Sequence, residues 1–114
     1  MDIRNNVQLI GNIGQTPELK KTTTGKSTTR FSLATKDMFK NKDSEIKNTY
    51  WHNIVAWEKV AEYIVKNCEK GSELVVNGRL INRSYEDNKG EKKYITEVVV
   101  NDVICNTKKQ KNVE

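Results

Sequence analysis

The octet Tyr50-Trp-His-Asn-Ile-Val-Ala-Trp57 is the most informative segment of the sequence. Side chains alternate between the two faces of a β-strand, so this stretch sorts its residues into two sets. One face carries Trp51, Asn53, Val55 and Trp57, and the other carries His52, Ile54 and Ala56. The only two tryptophans of the chain therefore share one face of a predicted strand, whereas a helix would separate them.

Two tryptophans on one strand face admit two interpretations. They can fill a hydrophobic core, since aromatic side chains bury a large apolar area. They can also offer flat surfaces on which a ligand stacks, and nucleic-acid bases suit such surfaces because each base has a π-face. The octet alone leaves both interpretations open.

Further strands and one helix are predicted on both sides of this octet. The strands are Asn6–Ile13, Thr28–Thr35 with a continuation towards Phe39, Tyr50–Trp57, Glu73–Tyr85, and Lys92–Val100 with an extension over Asp102–Ile104. A helix is predicted over Glu58–Glu69, because its apolar residues recur at helical spacing. This stripe consists of Val60, Ala61, Ile64, Val65 and Cys68. The charged segment Lys40–Asn48 is predicted to be a loop, and Glu86–Glu91 a polar hairpin turn.

The order of these elements predicts an all-β fold. Five strands with one α-helix between the third and the fourth form the oligonucleotide-binding (OB) fold, a small Greek-key barrel. A twisted five-stranded sheet with one packed helix is the alternative. A chain of 114 residues suits one compact domain. We expect residues 1–104 to form that domain and residues 105–114 to form a short basic tail.

The composition indicates a basic protein with much of its surface in water. Twenty Lys and Arg against fifteen Asp and Glu give a net charge of +5, which favours polyanionic partners without excluding an ordinary basic surface. No apolar run approaches the ~20 residues of a membrane span. The N-terminal residues lack the apolar centre of a signal peptide. We therefore expect a cytoplasmic protein.

The sequence contains no pattern typical of a catalytic or metal site. It has one histidine, His52, and two distant cysteines, Cys68 and Cys105, with no metal-binding spacing between them. No nucleophile and base stand in a supporting arrangement, and no pair of carboxylates does. We expect reduced thiols, no metal, no cofactor and no enzymatic activity.

The chain resembles the bacterial single-stranded DNA-binding proteins from about Asn5 to Val103. The segments that carry the resemblance are Asn6–Glu18 (Asn-Val-Gln-Leu-Ile-Gly-Asn-Ile-Gly-Gln-Thr-Pro-Glu), Phe31–Thr35, Trp51-His52 followed by Val55, Lys59–Glu62, Lys70–Ser72, Gly78–Leu80 and Tyr94–Val98. Each motif is short, but their joint order and spacing are specific to this family.

The resemblance implies an OB barrel, assembled as a homotetramer, over which single-stranded DNA is wrapped. Its base-stacking aromatics correspond here to Phe39, Trp51, Trp57 and Tyr85. Trp57 stands where phenylalanine is frequent, and Tyr85 stands where tryptophan is frequent. Both replacements keep a π-face, so stacking is expected to persist.

Cationic residues are the second part of the expected DNA site. Arg79 and Arg83 share a strand face with Tyr85, which suits a ligand with phosphates and bases. A solvated sheet face is the alternative for these arginines. Weaker candidates for phosphate contacts are Lys59, Lys70, Lys36 and Arg4.

A subunit interface is expected on other strand faces. Val75 and Ile81 are apolar residues on an otherwise polar face of the strand Glu73–Tyr85, and Gln8 and Ile10 lie on the outer face of the first strand. Apolar residues on such faces are explained by a partner subunit. The family places the position of His52 near subunit contacts. We expect a homo-oligomer, most simply a tetramer.

The resemblance implies sequence-independent binding and protection of single-stranded DNA during replication, recombination and repair, in the bacterial cytoplasm and near the nucleoid. The acidic C-terminal tip through which family members recruit replication enzymes has no counterpart in Thr107–Glu114, so this partner role is not carried over. The rivals are a primosomal replication protein of the same fold, a cold-shock RNA-binding module and a small-barrel nuclease.

Overall fold

The computed structural model describes residues 3–40 and 45–106, with side chains described for all of these except residues 38–40 and 45–47. The elements are β1 (Val7–Ile13), β2 (Lys20–Lys21), β3 (Ser27–Lys40), β4 (Glu45–Trp57), α1 (Glu58–Asn67), β5 (Glu73–Glu86) and β6 (Lys92–Cys105). Within the described ranges, no helix has the length and the apolar character to cross a membrane.

The strands close into a barrel. The order across the sheet is β1-β5-β6-β4-β3-β2, and β1 also pairs with β3, which joins the two sides of the sheet into a ring. The pairs are antiparallel except β4 with β6, which run parallel. The predicted OB barrel with one helix after the tryptophan strand is confirmed, and the alternative of an open sheet is wrong.

Several element boundaries differ from the prediction. The segment Lys40–Asn48 was expected to be a loop, but β3 extends to Lys40 and β4 begins at Glu45. Backbone pairing extends this hairpin as far as Lys40 opposite Glu45, so charged residues were compatible with strand structure here. Residues 41–44 lie outside the described part. The two-residue strand β2 was not predicted, and α1 ends at Asn67, with Cys68 already extended.

The core lies inside the ring and is closed at one end by α1. Leu33, Ile54 and Leu74 project inward from three strands and are fully buried. Ala61 and Ile64 pack against them from the helix, as the helical stripe predicts. Cys68 and Cys105 are both buried.

The seam between β1 and β3 requires a glycine. A Cβ at Gly11 would overlap the carbonyl of Ala34. The absence of a side chain lets the two backbones approach closely enough to close the barrel.

A bulge in β6 lies opposite Gly78. Asn77 pairs with Asp102 while Gly78 pairs with Val100, which leaves Asn101 as the extra residue. A Cβ at Gly78 would overlap the carbonyl of Val99 at this point. The bulge lets the long β5–β6 hairpin bend around the core.

Candidate nucleic-acid interface

The outer surface of β3, β4, β6 and β5 collects aromatic and cationic side chains. Strand register places Arg30 beside Val55, Val55 beside Val99, and Val99 beside Arg79, so one row crosses all four strands. Alternation along the strands adds other members on the same side. We call this surface the cationic-aromatic face; it consists of Arg30, Trp51, Trp57, Arg79, Arg83 and Tyr85.

Trp51 is solvent-exposed on this face. Its side chain is 61% exposed, and its indole ring rests against Gly14. A Cβ at Gly14 would lie 2.5 Å from Cζ3 of Trp51. The ring is therefore supported on one side and accessible on the other, and the core interpretation is wrong for Trp51.

Trp57 is half-buried at the other end of the same strand face. It lines a cavity of about 460 Å³ together with Thr22, Thr24, Lys26 and Glu58. It does not belong to the buried core cluster. An aromatic wall beside a pocket of this size can hold a flat ring, with hydroxyl and ammonium groups around it.

Tyr85 lies near the distal end of the β5–β6 hairpin and is 46% exposed. The guanidinium of Arg83 lies over its ring, with Cζ 5.9 Å from the ring centroid, which is within the range of a cation–π contact. Phe39 belongs to β3, where its backbone pairs with Ile46, but its side chain is outside the described part of the structure. Its predicted role therefore stays a prediction.

A buried carboxylate holds two arginines of the face. Glu97 is 2% exposed, and its Oε1 accepts a hydrogen bond of 2.7 Å from Nε of Arg83. Its Oε2 accepts one of 3.3 Å from Nε of Arg30. Burial raises the pKa of the Glu97 carboxyl, but the hydrogen bonds and charges of Arg83 and Arg30 outweigh it, and the pKa lies below its ordinary value. The hydrogen bond to Glu97 raises the pKa of Arg83, although burial partly opposes this.

Arg30 and Glu97 were not among the site residues predicted from the sequence. Arg30 lies on the opposite face of β3 from the core residues Phe31 and Leu33, so the alternation of this strand could have placed it on the outer surface. The signal for Glu97 was weaker: it is a charged residue directly before the buried run Val98–Val100. A charge at such a position requires a partner, but the sequence did not identify which one.

A cleft of about 200 Å³ lies between the two arginines. Gln15, Ser32 and Asn53 contribute polar groups to its wall. The carbonyl oxygen of the Gln15 amide accepts hydrogen bonds from the Ser32 backbone N–H at 2.9 Å and from its hydroxyl at 3.3 Å. The guanidinium groups make the cleft suited to an anion. Among the described side chains, no group of three or more His, Cys, Asp and Glu is placed to hold a metal ion.

The other predicted cations are scattered. Lys36 is exposed on the same outer side of β3 as Ala34, the pairing partner of Trp51. Lys59 lies on α1, Lys70 in the turn after α1, and Arg4 in the N-terminal turn, so none of these three is on the four strands of the face. Arg79 is on the face, where its Nη1 donates a 3.3 Å hydrogen bond to Asn101 in the β6 bulge.

The residues predicted for a subunit interface occupy two places. Ile10, Val75 and Ile104 form one row across β1, β5 and β6, and Ile10 and Ile104 are 55% and 60% exposed. Gln8 is exposed beside Asn77 in the neighbouring row. Ile104 was not predicted, because the bulge shifts the alternation of β6.

His52 lies on the inner side of β4, apart from that row. It is half-buried, and its Nε2 forms a 2.8 Å hydrogen bond with Oγ1 of Thr35. Its position does not adjoin Ile10 or Val75 in the strand register. The structure therefore does not bring together all the residues predicted for the interface.

Comparison with known proteins gives a consistent result. Residues 4–105 match the family described as "Single-strand binding protein family". Among similar proteins, Single-stranded DNA-binding protein 1 of Chlorobaculum tepidum is 44% identical over 101 residues, covering 87% of this chain and 62% of the relative. Single-stranded DNA-binding protein 1 of Xylella fastidiosa is 37% identical over 110 residues, covering 95% and 81%.

A third relative and a solved structure agree with these. The Single-stranded DNA-binding protein of Bacteroides thetaiotaomicron is 41% identical over 102 residues, covering 87% of this chain and 63% of the relative. The chain thus spans less than two thirds of the length of two of these relatives. The structure titled "Plasmodium falciparum SSB complex with ssDNA" is 29% identical, has a TM-score of 0.78, and covers 92% of this chain and 96% of its own. The chain belongs to the single-strand binding protein family.

Proposed function

We propose that this protein binds single-stranded DNA irrespective of base sequence and protects it during replication, recombination and repair. The observation that carries the proposal is the cationic-aromatic face, where three aromatic rings and three guanidinium groups lie on the same side of four neighbouring strands. Rings suit unpaired bases, and guanidinium groups suit the phosphates between them. The names of the relatives and the DNA complex of the structural neighbour support the same function.

The chemistry of the face favours single strands over duplexes. A base must leave its stack before it can lie on Trp51 or Tyr85, and the bases of a duplex are already stacked on each other. Stacking and phosphate contacts do not distinguish the base edges, so little sequence preference is expected. Binding only the unpaired form would also remove secondary structure from DNA by mass action, without catalysis.

Exposure and strand position support base stacking by Trp51, Trp57 and Tyr85, and phosphate neutralisation first by Arg79 and Arg83. The stacking role of Phe39 rests on the family resemblance alone. Lys36 is the best placed of the lysines. Lys59, Lys70 and Arg4 could meet DNA only where the strand continues beyond the face.

We further propose a homo-oligomer, with a tetramer as the simplest assembly. The row of Ile10, Val75 and Ile104 supports this, since three apolar side chains across adjacent strands suit a second copy of the chain better than water. A role of His52 in subunit contacts would need a second interface, on the inner side of β4. A cytoplasmic, nucleoid-associated location, without cofactor or enzymatic activity, fits the proposed role.

Titration of tryptophan fluorescence with oligo-dT tests the function. We expect strong quenching at low salt, an affinity that falls as salt rises, and much weaker binding of a duplex of the same length. Oligo-rU in a parallel titration separates DNA from RNA preference. Equal affinity for duplex and single strand, or no binding of oligo-dT, would contradict the proposal. Cleavage of labelled DNA with Mg²⁺ would favour the nuclease alternative.

A further inference from the structure

A carboxylate such as that of Glu97 is unexpected on a surface that is proposed to bind an anion. It lies beneath the cationic-aromatic face, and its carboxylate faces the same cleft as Arg30 and Arg83. A negative charge here repels phosphate and cancels one of the two positive charges beside it. Burying a carboxylate is also unfavourable unless it is paired. Its presence therefore calls for an explanation beyond the charge of the face.

The hydrogen-bond geometry offers one. Arg83 approaches Glu97 side-on, with Nε 2.7 Å from Oε1 and Nη2 3.5 Å from Oε2. Arg30 also uses its Nε, 3.3 Å from Oε2. A guanidinium has five N–H donors, so both arginines keep terminal donors after these bonds. Among the described residues, the hydrogen bonds of these two guanidinium groups use Nε of Arg30 and Nε and Nη2 of Arg83, which leaves Nη1 of both available to a ligand.

One carboxylate therefore fixes two guanidinium groups that would otherwise repel each other. Both arginine side chains are partly exposed, at 47% and 39%, while Glu97 is enclosed. Long exposed side chains normally lose rotamer freedom when they bind a ligand. Here part of that loss has already occurred in the free protein, and such preorganisation improves affinity.

We propose that Glu97 is a positioning residue that holds Arg30 and Arg83 as a preformed pair, whose terminal N–H groups receive one backbone phosphate of the bound strand in the cleft. This inference rests on the proposed function. Together with Glu97, the pair carries a net charge of +1, and it presents donors from two sides, which matches the several oxygens of a phosphate. The contact of Arg83 with Tyr85 would then set this phosphate next to a stacked base.

The substitution Glu97→Gln tests the proposal because two explanations predict opposite results. If Glu97 only subtracts charge, its removal adds one positive charge to the face, and oligo-dT binds more tightly with a steeper salt dependence. If Glu97 positions the arginines, the variant binds about tenfold more weakly despite its higher charge. The slope of log K against log salt then becomes shallower by about 0.7, the value for one phosphate of a single strand. Unchanged or tighter binding would overturn the inference.

A pair of arginine variants provides a test that does not alter Glu97. Arg83→Lys keeps the charge and a partner for Glu97, but lysine lacks the fork that contacts carboxylate and phosphate together. Arg79→Lys is the matched comparison, since Arg79 lies on the same strand face and is also assigned to a phosphate, but bonds to Asn101 instead of Glu97. Both variants should therefore lose affinity for oligo-dT, Arg83→Lys by about tenfold and Arg79→Lys by a clearly smaller factor, because only Arg83 loses a guanidinium fork that Glu97 holds in place. Equal losses would overturn the inference.

A readout without DNA separates positioning from binding. In the free wild-type protein, the Nε–H protons of Arg30 and Arg83 should exchange slowly with water and give resolved NMR signals at neutral pH. Both signals should be lost in Glu97→Gln while its melting curve stays cooperative; retained signals would overturn the inference. If Glu97→Gln does not fold, the difference in oligo-dT affinity between Arg83→Lys and Arg79→Lys tests the inference instead. Failure of the wild-type protein to bind oligo-dT would instead reject the proposed function.

Discussion

The indole of Trp51 rests on the backbone at Gly14. A Cβ built at Gly14 would lie 2.5 Å from Cζ3 and 3.1 Å from Cη2 of the indole, and 2.8 Å from Oγ of Ser32. Gly14 is not among the glycines with positive φ, so its backbone does not itself require glycine. The missing side chain makes room for the ring, so Gly14 allows the indole of Trp51 to lie close against the barrel surface.

Gly14→Ala should displace the Trp51 ring and weaken DNA binding. The exposed ring can swing away from a new methyl group, so we expect only a small change in melting temperature. The loss of affinity should be a fraction of the roughly 1–3 kcal/mol of a full stacking contact. Titration with oligo-dT in a Trp57→Phe background, where Trp51 is the only tryptophan, measures both the affinity and the emission of this ring.

Combining Gly14→Ala with Trp51→Ala provides the control. If Gly14 acts through the ring, its substitution should have no further effect on affinity once the ring is removed. Additive losses in the double variant would show that Gly14 affects DNA binding by another route.

Trp51→Ala and Trp57→Ala should differ in their effect on stability. Both should lose roughly 1–3 kcal/mol of binding free energy if each indole stacks on a base. The exposed Trp51 contributes little packing, so its variant should keep the wild-type melting temperature. The half-buried Trp57 should lose some stability, but less than the roughly 3–5 kcal/mol of a fully buried tryptophan. Normal DNA binding with early melting would identify either residue as structural.

The barrel could be predicted because the apolar residues of its strands and helix recur at regular intervals in the sequence. Alternation assigned the inner and outer sides of β3, β4 and β5, and helical spacing identified Ala61, Ile64 and Cys68 as buried. The charged ends of the β3–β4 hairpin were not predictable, since two strands that extend beyond the core need no apolar residues. The bulge at Asn101 was also missed, because a single extra residue changes no composition and only reverses the later alternation.

The aromatic residues of the site could be predicted from the sequence, but the ion pairs that Glu97 forms with the two arginines could not. Trp51 and Trp57 stand out in the sequence because they are its two tryptophans and share one strand face, whereas Tyr85 was identified through the family resemblance. The grouping of Arg30 with Arg83 through Glu97 joins residues 67 and 14 positions apart, and only the strand order brings them together. Pairwise contacts across a barrel depend on which strands are neighbours, and no local pattern contains that information.

Ile10→Lys should disrupt the proposed oligomer. A charged ammonium in the row of Ile10, Val75 and Ile104 would have to be desolvated at an interface between copies of the chain. Light scattering after size exclusion should therefore show a smaller mass than for the wild type. Ile3→Lys is the matched control, since Ile3 is 88% exposed and lies outside that row. A wild-type monomer at micromolar concentration would contradict the oligomer itself.

The carboxyl of Glu97 should make stability depend on pH in the acid range. Its pKa in the folded protein lies below the ordinary value of 4.5 for a glutamate carboxyl. The stabilisation from its ion pairs is therefore complete above that pH and is lost as the pH falls through the folded-state pKa. Urea unfolding from pH 7 to pH 3 should show the difference between wild type and Glu97→Gln shrinking as the pH falls. A constant difference would contradict this.

Glu58 has strained backbone geometry at the start of α1. Its φ is +54°, in the left-handed region, which costs a residue with a Cβ roughly 1–2 kcal/mol. Its side chain compensates in part, since Oε1 accepts a 2.8 Å hydrogen bond from the backbone N–H of Ser27. Glu58→Ala loses that bond and keeps the strain, whereas Glu58→Gly loses the bond but relieves the strain. Glycine should therefore be more stable than alanine at this position.

This order is the reverse of the usual one in helices, and Glu62 supplies the matched comparison. Glu62 is exposed on the same helix with ordinary backbone angles, so Glu62→Gly should be less stable than Glu62→Ala by roughly 1 kcal/mol. Thermal and urea unfolding of the four variants measures both differences under the same conditions. The left-handed geometry predicts opposite signs at the two positions, with Glu58→Gly above Glu58→Ala by about 1 kcal/mol. If the alanine variant is more stable than the glycine variant at both positions, the backbone at Glu58 is not strained.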